Sequence, residues 1–172
     1  MFADGNFGDI TVNALHVTVF NPLGGTLAEV VISSAHADIL CAGPPPPGGD
    51  FVTGGGWITG PFGAKANFGV AGGLKPNGAL WGHLAYLDHG NGLKVKGTAV
   101  TAYVIVTDSH GGPTNTRHIE GTCQINGAAG TYAVDVTDNG EPGRNDELSI
   151  RLSSGYSAAG SLEGGNIQLH TP

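Results

Sequence analysis

Four Asn-Gly dipeptides, at 77–78, 91–92, 126–127 and 139–140, constrain this chain more than any other feature. Asn and Gly tolerate the two positive φ angles of a type I′ turn, and the twist of that turn suits antiparallel strands. Further breaks stand at Asp108–Pro113, Ser154-Gly155 and Gly164-Gly165. Between them lie runs of extended character at 51–59, 66–74, 79–87, 93–107, 117–125, 131–137, 147–153, 157–162 and 166–170. Several alternate cleanly: Tyr132, Val134 and Val136 against Ala133, Asp135 and Thr137, and Leu148, Ile150 and Leu152 against Ser149, Arg151 and Ser153. Nine short strands with tight turns read as an all-β antiparallel meander, closed into a β-barrel or folded as a β-sandwich. No segment reads as a helix. The longest apolar window, 93–107, is rich in β-branched residues and contains Gly97. Glycine supplies 31 of 172 residues, and Gly69, Gly82, Gly97, Gly121 and Gly160 fall inside expected strands, where they mark bends or close backbone approach.

The first fifty residues differ from the rest. Ile10, Val12, Ala14, His16 and Thr18 alternate with Thr11, Asn13, Leu15, Val17 and Val19, and a second extended run covers 27–40. Both faces of the first run carry apolar groups, so it calls for cover on both sides. The segment AGPPPPGGD at 42–50 is a polyproline spacer flanked by glycines. The expected organisation is therefore a two-stranded N-terminal extension at 1–41, a linker at 42–50 and a β domain at 51–172. A lone hairpin is marginal in water, so the extension is expected to pack on the following domain or to donate a strand to another molecule.

Charge narrows the function classes. The formal net charge is −7, with no Lys or Arg before residue 51, which argues against a nucleic-acid partner. No apolar run approaches the ~20 residues of a membrane-spanning helix. The N-terminus, MFADGNFGDI, lacks the basic start and apolar centre of a signal peptide.

The strings FVTGGGWITG (51–60), GHLAYLDHGNGLKVKGTAVTAY (82–103), RHIEGT (117–122), DVTDNGEPGRND (135–146) and SSGYSAAGSLEGGNIQLH (153–170) together resemble the post-COAP module of bacterial secreted and surface proteins. ITVNALHVTV and VVISSAHADILC resemble, more weakly, the closing strands of a choice-of-anchor P region. The resemblance implies an export-linked location, extracellular or at the cell surface. It brings no catalytic residues to carry over.

Candidate chemistry is sparse. Cys41 and Cys123 are too few for a thiolate zinc cage; they read as a disulfide joining the two parts, as two buried thiols, or as links between molecules. Asp138, Glu141 and Asp146, with Asn139 and Asn145, gather hard oxygen donors on one loop, as calcium requires. The competing reading is a pair of turns, an Asx-type turn at Asp138-Asn139-Gly140 followed by Pro142-Gly143. The seven histidines lack metalloprotease spacing and are expected in structural or exposed positions, His83 half-buried on a sheet and Asp88 accepting backbone N–H groups at a turn. Glu120 and Asp135 are a carboxylate pair that adjacent strands would bring together, although Glu120 reads more simply as a solvated strand residue. No nucleophile elbow or phosphate loop is present. Trp57, Trp81 and Tyr86 are the candidates for stacking on a sugar, against burial in the core. The leading expectation is a non-catalytic extracellular structural module, with no cofactor beyond the calcium option. Its partner would be another copy of itself in an oligomer or filament built by strand addition. The alternative is a carbohydrate-binding module with a glycan partner.

Overall fold

The computed structural model describes residues 7–20 and 26–40 as backbone, and residues 47–172 in full. The chain divides into two compact units, Met1–Cys41 and Ala42–Pro172. In the first, β1 (Phe7–Phe20) and β2 (Thr26–Leu40) form an antiparallel two-stranded ribbon. Its register sets Asp9 opposite Asp38, Leu15 opposite Ile32 and Val17 opposite Val30, and it slips once, between Val19 and Phe20.

The second unit is one antiparallel sheet of nine strands, curled into an open half-barrel. Its strands are β3 (Phe51–Thr59), β4 (Lys65–Leu74), β5 (Leu80–Asp88), β6 (Leu93–Thr107) and β7 (Pro113–Ile125). They are followed by β8 (Ala128–Thr137), β9 (Glu147–Leu152), β10 (Ser157–Ser161) and β11 (Gly164–His170). The order across the sheet is β10-β9-β8-β7-β6-β5-β4-β3-β11. The first eight strands meander; the last leaves its sequence neighbour and pairs with β3 at the far edge. Because β9 and β3 are separated by six antiparallel steps, they run in the same sense, and so do β10 and β11. The segment 157–170 is thus one extended run that pairs with β9 and then, after Leu162-Glu163, with β3. Three Cα steps link Ser161 to Gly164, so the two edges come within about 11 Å there.

Alternation explains the core. Val52, Ile58, Phe68, Val70, Leu84, Val95, Ile119, Val134, Val136, Leu148, Ile150 and Ile167 all turn into the curl and are buried. Bending is concentrated in β6, where the ladder to β7 slips between Gly97 and Ala99, Val100 and Ala102, and Ile105 and Thr107. Gly97 sits where β6 leaves its pairing with β5: a Cβ there would stand 2.8 Å from the backbone nitrogen of Leu84. At the turn Asn126-Gly127 both φ angles are positive, 49° and 89°, as a two-residue hairpin between β7 and β8 demands. The other three Asn-Gly pairs depart from the expected type I′ geometry. Only their glycines have positive φ, because the loops at 75–79 and 89–92 are longer and 139–140 opens a crossing loop rather than a hairpin. That loop holds a single turn of 3-10 helix, Gly143–Asn145.

Candidate functional site

Two polar networks fix the interior of the curl. The last residues of the proline-rich spacer are tied down: Gly49 N–H donates to Leu74 O (2.9 Å), and Asp50 is 1% exposed. The Asp50 carboxylate accepts Arg117 Nε (2.9 Å) and Nη2 (2.8 Å) in a bidentate pair, and Tyr103 Oη donates to it at 2.5 Å. Burial alone would raise the Asp50 carboxyl, but the Arg117 and Tyr103 bonds and the guanidinium charge outweigh it and hold it below its ordinary range. Burial and the Asp50 carboxylate push the Tyr103 phenol far up, so it remains a donor. In the second network Tyr86 Oη donates to Tyr156 Oη (2.7 Å), which donates to Asp88 Oδ2 (2.8 Å); Asp88 Oδ1 accepts Gly90 N–H (2.7 Å). Asp88 thus caps the turn after β5, as the sequence suggests.

The acidic loop 138–146 lies along the outer edge of β11. Asp146, fully buried, accepts Asn139 N–H on Oδ1 (2.9 Å) and Ile167 N–H on Oδ2 (2.7 Å). Asp138 accepts Gly140 N–H (2.9 Å), completing the expected Asx turn, and Leu169 N–H (2.8 Å). Glu141 accepts Asn166 Nδ2 (3.0 Å). The outward amides of Ile167 and Leu169, which have no strand to bond, therefore meet carboxylates instead. Hydrogen bonds to charged groups contribute roughly 1.5–3 kcal/mol each. The three candidate calcium ligands line one strand edge, each engaged by an N–H donor. Among the described residues no group of three or more His, Cys, Asp or Glu side chains is arranged to hold a metal ion.

The opposite edge, β10, is built differently. Leu152 N–H donates to Tyr156 O (2.9 Å), which sets the alternation of the β9–β10 ladder. Ala158 and Gly160 then face β9, while the N–H and C=O groups of Ser157, Ala159 and Ser161 point away from it. On that side β10 lies against the end of β3: a Cβ at Gly160 would stand 3.8 Å from Ile58 Cβ. No ladder joins β10 to β3.

On the outer face of β7, β8 and β9, His118 Nδ1 donates to Asp135 Oδ1 (2.6 Å), and its Nε2 lies 3.2 Å from Glu120 Oε1. Ser149 Oγ donates to Asp135 Oδ2 (3.1 Å), and Arg151 stands 3.7 Å from the same oxygen. Sequence reasoning pairs Glu120 with Asp135 directly but misses the imidazole that separates them. The bond to Asp135, opposed by burial and aided by Glu120, raises the His118 pKa. Burial alone would raise Asp135, but His118, Ser149 and Arg151 bring it below its usual value. The arrangement is a cross-strand ion cluster.

The aromatic candidates do not converge. Trp57 is half-buried on the outer face of β3, with Lys65 Nζ 4.7 Å from its ring centroid. Trp81 lies six residues away in register on β5, tilted against Phe51 at 5.7 Å, and Phe51 stacks on His170 at 4.2 Å. Tyr86 corrects the sequence expectation: it shares the inward face with Leu84 and Asp88, is 3% exposed, and offers no ring to a sugar. His83, His89 and His110 are exposed, His89 bonded to Asn67 (3.0 Å). Cys123 is a buried thiol whose pKa burial raises; Cys41 lies outside the described residues, and so does the disulfide expectation.

Fold and sites together define an all-β curled-sheet domain with polar interior clamps and a carboxylate-capped edge. No family model matches the chain, and no curated protein or solved structure matches it either.

Proposed function

We propose that the chain is a non-catalytic structural module that assembles with copies of itself through its N-terminal ribbon, at the cell surface or outside the cell. One observation carries the assembly reading. The ribbon β1–β2 is a separate unit of only two strands, whereas every strand from β3 to β11 contributes to the core of the second unit. Two strands alone are marginal in water, so the ribbon gains most by joining another sheet. The extracellular location is supported by the post-COAP-like motifs at 51–60, 135–146 and 153–170. Light scattering across a concentration series, with negative-stain microscopy, tests the assembly. Concentration-dependent growth beyond the 17.3 kDa chain is expected, and a monomer at every concentration overturns the reading.

A second reading, glycan binding, draws on the cross-strand group of Trp81, Phe51 and His170 on the outer face. Half-exposed rings on one sheet face suit stacking on a sugar. A glycan array compares the wild type with Trp81→Ala and Trp57→Ala; the site predicts loss with Trp81→Ala and retention with Trp57→Ala.

A further inference from the structure

Four ionisable side chains meet on the outer face of β7, β8 and β9: His118, Glu120, Asp135 and Arg151. The register sets Glu120, Ala133 and Arg151 in one row across the three strands, and His118, Asp135 and Ser149 in the next. Adjacent strands lie about 4.8 Å apart, so the Glu120 and Arg151 backbones stand about 10 Å apart. Only the Ala133 methyl group lies between them in that row. Both side chains are more than half exposed (52% and 63%), and both border one hollow together with Thr101, Thr122, Thr131 and Ser153. An extended glutamate and an extended arginine can bridge that interval. His118, with 13% of its side chain exposed, is held in place.

The hydrogen bonds fix the protonation state. His118 Nδ1 donates to Asp135 Oδ1 at 2.6 Å, so a neutral imidazole with that bond intact carries a bare lone pair on Nε2. Glu120 Oε1, itself an acceptor, lies 3.2 Å from Nε2. Two acceptors repel at that distance, and the contact is a bond only while Nε2 also bears a proton. The charged groups around the imidazole are Asp135 from β8, Arg151 from β9 and Glu120 from its own strand. Glu147 stands beyond Asp135, where the two border a neighbouring hollow, and β6 sets uncharged Val104 opposite His118. With His118 protonated, the two cations of the cluster balance Glu120 and Asp135. Once it is neutral, Arg151 is the remaining cation beside both carboxylates. At 3.7 Å from Asp135, Arg151 is loosely paired and has donors to spare.

We infer that Glu120 is a proton-driven gate. It bonds His118 while the imidazole is charged, and swings across Ala133 to Arg151, over the hollow, once the imidazole gives its proton to water. The device goes beyond the assembly reading and stands whether or not the chain assembles. The Asp135 bond, opposed by burial and aided by Glu120, holds the His118 proton past its ordinary midpoint of 6.5, so the swing falls above that pH. Below it the hollow is open to solvent with Arg151 in its wall; above it a Glu120–Arg151 bridge roofs the hollow.

A double-mutant cycle on the full chain, with Glu120→Gln and Arg151→Gln singly and together, reads the bridge as a coupling in the urea unfolding constant. The coupling is expected to be absent well below the His118 midpoint and to reach up to about fivefold well above it. In a His118→Gln background it should no longer vary with pH. NMR of the imidazole nitrogens supplies a readout that a merely structural role would not move: above the midpoint the neutral ring should carry its proton on Nδ1. A coupling equal on both sides of the midpoint, or absent from both, overturns the gate. A neutral ring protonated on Nε2 does the same, since Glu120 would then keep its bond. A coupling that still follows pH in the His118→Gln background overturns His118 as the trigger.

Discussion

At β11 the unpaired backbone of a sheet edge is answered by carboxylates from the loop 138–146, whereas at β10 it is turned toward the end of β3 with no ladder formed. Both strands belong to the same extended run, 157–170, and differ only in which side of the curl they border. Edge strands invite further pairing unless charge, a bulge or a covering loop prevents it. The molecule covers one edge with carboxylates and turns the other toward the end of β3, where Gly160 packs against Ile58.

The comparison needs an internal standard, and the Asp50–Arg117 pair provides one. Arg117→Met would strand a buried carboxylate, and a loss of about 3–5 kcal/mol is expected in urea unfolding. Next comes the capped edge itself. Asp146→Ala leaves the amides of Asn139 and Ile167 without their acceptor, and should cost about 3 kcal/mol by the same measurement. Ala159→Pro should cost clearly less, since the Ala159 amide points away from β9 and takes no part in that ladder; a cost equal to that of Asp146→Ala would erase the distinction between the edges. The outer-face cluster predicts a smaller, pH-dependent effect. Its folded pKa raised above 6.5, His118 adds stability that is fully present below that value and lost as pH rises through the folded pKa. His118→Gln should remove this slope, a change within about 1 kcal/mol. Smallest of all is the effect of chelation: with Asp138 and Asp146 bonded to backbone amides, EDTA should leave the melting temperature unchanged. A fall on chelation, reversed by calcium, would assign the loop to a metal.

Most of the strand plan is legible in the sequence because turn chemistry and alternation are local. The run at 93–107 coincides with β6, and Asn126-Gly127 forms the expected hairpin turn. What escapes is long-range. Nothing near Ile167 announces that its amide will meet Asp146, or that β11 will cross to β3. Tyr86 is misplaced among surface aromatics for a different reason. Its face is set by register with Leu84 and Asp88, and a buried hydroxyl partner, Tyr156, lies 70 residues away. The acidic loop is ambiguous for a physical reason too: the same oxygen donors that suit a cation also suit a row of unpaired N–H groups.

The partner switch at Leu162-Glu163 also bears on when the domain can form. Phe51, which opens the domain, stands opposite His170, almost its last residue. During synthesis the meander from β3 to β9 emerges first, and its hairpins can pair as they appear. The stitch that draws the two margins together is made only after β11, the last of the nine strands in sequence, has been synthesised. Until then the Val52 and Ile58 side of the core has no Ile167 to cover it, and such non-local pairings are slow to form. Newly made chains therefore pass through a stage in which the capped margin does not yet exist, and premature pairing with a neighbour is a hazard of that interval.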